Sequence, residues 1–272
     1  METLSPVIAS LNPDLFSPFA KTIFDRCVTL LGDLPRDSEL ISSVLDVIGS
    51  FENSTTQLSK MVSSSHLIQN LIEICTPATS VDTLTSVFAL IGTLVNKCID
   101  LMRPHLKSPL IPFLISEISS TANISKSSNA IWAINCILIR ARDVITEEIH
   151  REIMQKLVIL TYHRNMPKTF LENIATCFSR LTLISFPDPR FAEVALKAIC
   201  SGVTLMGEDR EKADCILAIC AMVQAAPLTS PFLMNNVQQI IKALSSWKHE
   251  DHIATSYITA MKKLKEVNSI NK

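Results

Sequence analysis

The sequence predicts an all-α fold, a right-handed solenoid of stacked antiparallel helix pairs, and three observations carry that reading. Apolar residues recur at three-to-four spacing from end to end, with no alternating run that would mark a strand. Only five glycines occur, so proline and clusters of Asn, Asp and Ser do the punctuating. One short pattern also returns at a near-constant interval. Leu45-Asp46-Val47-Ile48-Gly49, Phe88-Ala89-Leu90-Ile91-Gly92, Ile131-Trp132-Ala133-Ile134-Asn135, Ile174-Ala175-Thr176-Cys177-Phe178 and Ile216-Leu217-Ala218-Ile219-Cys220 start 43, 43, 43 and 42 residues apart. Two helices in a unit of about 40–47 residues is the signature of HEAT and armadillo-like arrays. No such unit buries its apolar faces alone, so stacking supplies the core.

Taken in order, Glu2–Leu11 reads as a helix ended by Asn12-Pro13, with Asp14 placed to cap the next. It has no partner upstream, which is expected of a chain whose front has been cut away. Asp14–Gly32 follows, then Ser38–Phe51 after Leu34-Pro35-Arg36-Asp37. Short helices are expected at Gln57–Val62 and Ser64–Cys75. A long one runs from Val81 to about Met102, and another starts at Arg103-Pro104 and runs to about Ser119. Ser125–Asp143, Glu147–Tyr162, Pro167–Ile184, Asp188–Leu205, Asp209–Ala226, Ser230–Ser246 and Glu250–Asn268 complete the chain. The result is a single array over residues 1–272, six helix pairs behind one orphan helix.

The second helix of each pair is the more polar and is expected to line one continuous surface. In Ser125–Asp143 a helical wheel puts Trp132 among Ser125, Ser128, Asn129, Asn135, Arg140, Arg142 and Asp143. Ala130, Ile131, Ala133, Ile134, Ile137 and Leu138 fall on the other side. A lone Trp in a helical repeat is most often partly buried core. Its place opposite the aliphatic face favours a contact residue instead. Thr169, Asn173, Thr176 and Arg180 form the polar stripe of Pro167–Ile184, and Asp82, Thr85, Ser86, Gly92, Thr93 and Asn96 that of the long helix. Asp46 reads either as a solvated helix acid or as a site for a basic ligand segment. Asn173 reads as a bridge between helices or as a binder of extended peptide backbone.

A net charge of −1 gives nucleic acid or a membrane surface no broad electrostatic footprint. The start, Met-Glu-Thr-Leu-Ser-Pro, lacks the basic region and apolar run of a signal peptide, and no uninterrupted apolar run approaches about 18 residues. The eight cysteines are scattered without a CxxC pair, as expected of reduced, buried thiols. Six histidines show no HExxH spacing, and His249 with His252 sits at a polar turn, where solvation is favoured over metal binding. Cys215 and Cys220 read as core. GxSxG, GxGxxG and GxxxxGK(S/T) are all missing, so neither an enzyme nor a cofactor is expected.

Asn129-Ala130-Ile131-Trp132-Ala133-Ile134 and Pro167-Lys168-Thr169-Phe170-Leu171-Glu172-Asn173, with Arg180-Leu181 beyond, resemble the C-terminal HEAT repeats of the transportin family, karyopherins of the importin-beta superfamily. Asp25-Arg26-Cys27-Val28, Glu211-Lys212 with Ile219-Cys220, and Ser245-Ser246-Trp247 extend the likeness along nearly the whole chain. The resemblance implies a nuclear import receptor, moving between cytoplasm and nucleus, whose concave surface holds extended proline-tyrosine nuclear localisation signals. It implies contacts from Trp132 and Asn173, and by position from Asp46, Ile124, Ser128 and Thr176. Three positions depart from the family pattern. Ser128 stands where Asn is usual, Thr176 where an aliphatic is usual, and Thr93 where an acid is usual. Cargo proteins, Ran and nucleoporins are the implied partners. The match covers only the last third of the family's length, so the main Ran site and the proline-tyrosine pocket have no counterpart here. The competing reading is a HEAT scaffold that organises protein complexes and reads no localisation signal.

Overall fold

In this computed structural model the described residues are 7–8, 13–54, 57–118, 122–163, 165–248 and 251–270. All regular structure among them is helical, so the fold is all-α, and the chain divides into two compact units, Met1–Ile145 and Thr146–Lys272. Of the expected helix Glu2–Leu11, only Val7 and Ile8 are described, both helical. The remainder of that helix, and the capping side chain of Asp14, lie outside the described residues, as does the turn at His249.

In the first unit α1 (Pro13–Asp33) pairs with α2 (Leu40–Ser54). Phe24 and Phe51 seal this pair edge to face, their ring centres 5.7 Å apart at 79°. Two short helices, α3 (Leu58–Ser63) and α4 (Leu67–Ile74), precede α5 (Val81–Lys97). Ser80 caps α5 by accepting the Thr83 N–H at 3.2 Å.

The long helix expected from Val81 to Met102 is broken. Cys98, at φ −133° and ψ 40°, ends α5, and α6 (Ile99–His105) starts immediately after. Pro104 therefore lies inside α6 rather than opening a new helix. The next break is at Ser108, whose backbone is extended (φ −156°, ψ 127°) because Pro109 follows it. The chain kinks at this point and leads into α7 (Ile111–Ile118). Phe113 of α7 meets Phe88 of α5, ring centres 5.9 Å apart.

The last helix of this unit, α8 (Ile124–Arg140), stops three residues earlier than the periodicity predicts. Ala141 leaves the helix at φ −143°, and a single 3-10 turn covers Arg142–Val144. Arg103 of α6 fixes that turn, donating from Nη1 to Asp143 at 2.6 and 2.8 Å and from Nη2 to the Arg140 carbonyl at 3.4 Å. A guanidinium at a helix C-terminus serves the otherwise unpaired carbonyls there.

The second unit holds three clear pairs: α9 (Glu147–Thr161) with α10 (Lys168–Ile184), α11 (Pro189–Val203) with α12 (Arg210–Ala225), and α13 (Pro231–Ser245) with α14 (Asp251–Ile270). Their starts are written in the sequence. Thr146 caps α9, Asp188 caps α11 ahead of Pro189, and Asp209 caps α12 through the Lys212 N–H at 2.9 Å.

Packing follows the repeat. In the second unit the first helices α9, α11 and α13 touch in sequence, as do the second helices α10, α12 and α14. In the first unit α2, α5 and α8 form the corresponding row. Each middle second helix thus touches its own partner and a second helix on either side. The faces left to solvent are narrower than a wheel drawn for a two-sided helix implies.

Candidate peptide-binding surface

On α8 the residues Ile124, Ser128 and Trp132 stand four apart, so they lie along one line of the helix, and all three are half-buried. Ser125 beside them is exposed. Part of the expected polar face is instead taken up by α5. Asn129 Nδ2 donates to the Thr85 carbonyl at 2.9 Å, and Asn96 Nδ2 of α5 donates to Cys136 Sγ at 3.2 Å. Asn135, Cys136 and Thr93 are buried. Lys126 and Glu117 form a largely buried ion pair that ties the start of α8 to the end of α7, helped by Ser127 Oγ donating to the Glu117 carbonyl at 3.1 Å.

Trp132 itself is neither sealed in nor standing free. Its six-membered ring lies on Gly92 of α5, so close that a Cβ there would fall 2.2 Å from Cζ3, 2.4 Å from Cε3 and 2.9 Å from Cη2. A wheel drawn for Ser125–Asp143 alone does not show this packing against the neighbouring helix. The ring closes the seam between two neighbouring second helices, and its remaining surface meets solvent. Gly92, assigned to a polar stripe from sequence, is buried beneath the indole.

Asp46 is exposed on α2 of the same unit, and its neighbours Ser42, Ser43, Gly49 and Ser50 are half-buried. It therefore lies on the small-polar face that the sequence predicts. The other two candidates, Asn173 and Thr176, are carried by α10 of the second unit, where Asn173 is half-buried and Thr169 on the same stripe is exposed.

The second half of that stripe is not a surface. Thr176 is only 2% exposed, and its hydroxyl serves the thiol of Cys215 on α12. Arg180, 6% exposed, donates from Nε to Asp214 Oδ2 at 2.8 Å and from Nη2 to Glu211 Oε1 at 3.4 Å, again on α12. Thr176 as a contact residue is corrected to a packing residue, because the row of second helices covers it. Sequence reasoning also missed Lys212, 4% exposed, which donates to Glu208 Oε1 at 2.7 Å and to the Ser246 carbonyl at 2.9 Å. The signal for Arg180 was available: acids at 211 and 214 fall 31 and 34 residues later, one repeat less about two to three turns, in the next second helix.

All eight cysteines are free thiols, seven of them buried and Cys75 half-buried. Burial pushes the thiols of Cys177, Cys200, Cys215 and Cys220 up to about 12, so they are neutral and poor nucleophiles at neutral pH. Among the described residues no group of three or more His, Cys, Asp and Glu is arranged to hold a metal ion, and no helix is long and apolar enough to cross a membrane.

These features define a helical-repeat protein of the HEAT type, with short strips of mixed polar and aromatic character on its second helices. Fold comparison agrees: an engineered protein solved by crystallography superposes with a TM-score of 0.60 over 90% of this chain and 98% of its own, at 14% identity. No protein-family profile matches. Among curated proteins, the chain is 28% identical to Transportin-1 of Oryza sativa subsp. japonica, over 91% of this chain and 29% of that protein. It is 24% identical to Transportin-1 of Homo sapiens (84% of this chain, 27% of that protein) and 22% identical to Importin subunit beta-2 of Schizosaccharomyces pombe (86% and 27%). The chain is thus transportin-like over most of its length and spans less than a third of the length of these relatives.

Proposed function

We propose that the chain serves as the C-terminal HEAT array of a transportin-like nuclear import receptor and binds extended proline-tyrosine-type nuclear localisation signals of cargo. The observation that carries the proposal is the half-buried indole of Trp132, in line with Ile124 and Ser128 on α8. An aromatic with one part anchored and one part in solvent offers a rigid apolar platform at little entropic cost. Small polar neighbours suit an extended guest, whose backbone groups need partners. Asp46 adds an exposed negative charge for a basic residue of the signal, and Asn173 adds an amide in the second unit. The cellular setting is transport between cytoplasm and nucleus, with cargo and Ran as partners of the longer receptor.

With few anchors, affinity in isolation is expected in the micromolar-to-millimolar range, because ordering an extended peptide offsets much of each contact. The test is an anisotropy titration with a fluorescein-labelled proline-tyrosine localisation-signal peptide, repeated on Trp132→Ala. Loss of one aromatic anchor is worth about 1.5–3 kcal/mol, a 10- to 100-fold weakening. Equal binding by folded wild type and variant removes the site assignment. Trp132→Ala also opens the α5–α8 seam, so each titration is run below the unfolding transition measured for that variant.

A further inference from the structure

We infer that Gly92 is a positioning residue for the peptide-binding strip: its missing side chain forms the socket that sets the orientation of the Trp132 indole. This rests on the proposed reading of Trp132 as a contact residue. Glycine is scarce in this chain and unfavourable in helix interiors, yet one stands in the middle of α5 and is buried there. Its φ is not positive, so the backbone does not require glycine at this place. What requires it is the indole, three of whose carbons lie within 3 Å of where a Cβ would be.

Those carbons, Cε3, Cζ3 and Cη2, belong to the part of the ring remote from the nitrogen. The pyrrole end with its Nε1–H is therefore left outside the socket. An indole held in this way offers a guest both apolar ring surface and one hydrogen-bond donor, the pair of features that suits a side chain and the adjoining carbonyl of an extended peptide. Asn129 and Cys136 flank Trp132 at i−3 and i+4 on α8, and each is tied to α5 by a hydrogen bond. The two helices are thus held at fixed separation on either side of the ring.

A methyl group at residue 92 meets the far end of a side chain, not backbone. The relief open to the protein is rotation of Trp132 away from α5, with the hydrogen-bonded helices staying in place. Gly92→Ala is expected to leave the fold intact and spoil the strip.

The experiment uses the full chain in a Trp247→Phe background, which leaves Trp132 as the sole tryptophan. Gly92→Ala should shift Trp132 emission to the red, raise its acrylamide quenching at least twofold, and weaken the labelled localisation-signal peptide about tenfold or more. Thermal unfolding is measured as a cycle with Trp132→Ala. The alanine should lower the melting temperature when the indole is present and leave it unchanged or higher when the indole is gone, since alanine is the better helix former. Unchanged emission and quenching in Gly92→Ala overturn the inference, as does an equal loss of melting temperature in both backgrounds. If wild type binds and Trp132→Ala binds as tightly, the underlying reading of the strip fails instead, whatever Gly92→Ala does to fluorescence.

Discussion

Replacing Arg180 by methionine separates a structural role from a recognition role, because the two predict opposite outcomes. Methionine keeps most of the apolar stem and removes the charge. In the structure the guanidinium is 6% exposed and serves Asp214, whose side chain is 21% exposed, and Glu211, 48% exposed. Removing one member of a buried pair costs about 3–5 kcal/mol, because the other charge is left without a partner. Asp214 recovers some water through its exposed fifth, which lowers the figure. Glu211 is exposed enough that its share is below about 1 kcal/mol. The expected destabilisation is about 2–3 kcal/mol. With a urea dependence of about 1–3 kcal/mol per M, the unfolding midpoint should fall by roughly 0.7–3 M.

The assay follows Trp247 fluorescence in a Trp132→Phe background, so that the signal comes from the second unit alone. Asp214→Asn, which keeps an acceptor for Arg180, should lose less. A surface arginine held for ligand contact changes stability by about 0.5 kcal/mol or less. A midpoint within about 0.2 M of the parent, together with weaker peptide binding, would therefore refute the reasoning.

Gly202→Ala should behave unlike Gly92→Ala: here the added Cβ meets Ala175 Cβ at 2.3 Å and the Leu171 carbonyl at 3.3 Å, so α10 and α11 must part. We expect a net loss of about 1–2 kcal/mol after the helix-propensity gain, read from the same urea curves, and no loss would show that the helices are not this close. Asp188, held down to about 2 chiefly by its hydrogen bonds from the Arg190 side chain and backbone, should titrate far below an ordinary aspartate by carboxyl NMR. A depressed carboxylate stabilises above its unfolded pKa of about 3.9, so its contribution should fade between about pH 4 and pH 2 and vanish in Asp188→Ala. Ellman's reagent at pH 8 should react slowly with the native thiols and count all eight in guanidinium, and prompt native reaction at Cys177 or Cys215 would contradict their burial.

The two-helix period and most helix limits were legible because they depend on local apolar spacing and on capping residues such as Ser80, Thr146, Asp188 and Asp209. What escaped was lateral packing. A helical wheel assigns one inner face, yet α5, α8, α10 and α12 each meet second helices beside them as well as their own partners. Thr93, Asn135, Thr176 and Arg180 look polar and outward by that rule and are buried by these neighbours. Trp132 lies off the aliphatic face that the wheel assigns, yet it packs against Gly92 of α5, which the wheel does not show. The break at Cys98 was hidden because apolar spacing runs on unbroken from Val95 to Met102, while Pro104 marked a boundary that the chain had already passed. Asp46, Ser128 and Asn173 keep the outward or half-outward positions that their spacing assigns, and Ile124, implied by the family resemblance alone, is half-buried.

Two of the ties between successive repeats run from a side-chain amide to a main-chain carbonyl: Asn70 to Val28 at 3.4 Å and Asn129 to Thr85 at 2.9 Å. Every amino acid carries that carbonyl, so the accepting position is free to drift in identity while the donating one is not. Diversification along such a molecule is lopsided. Mutational tolerance should be generous at half-buried residue 85 and strict at 129, while residue 28 stays apolar because its side chain is buried, which a saturation library scored by folding would read directly.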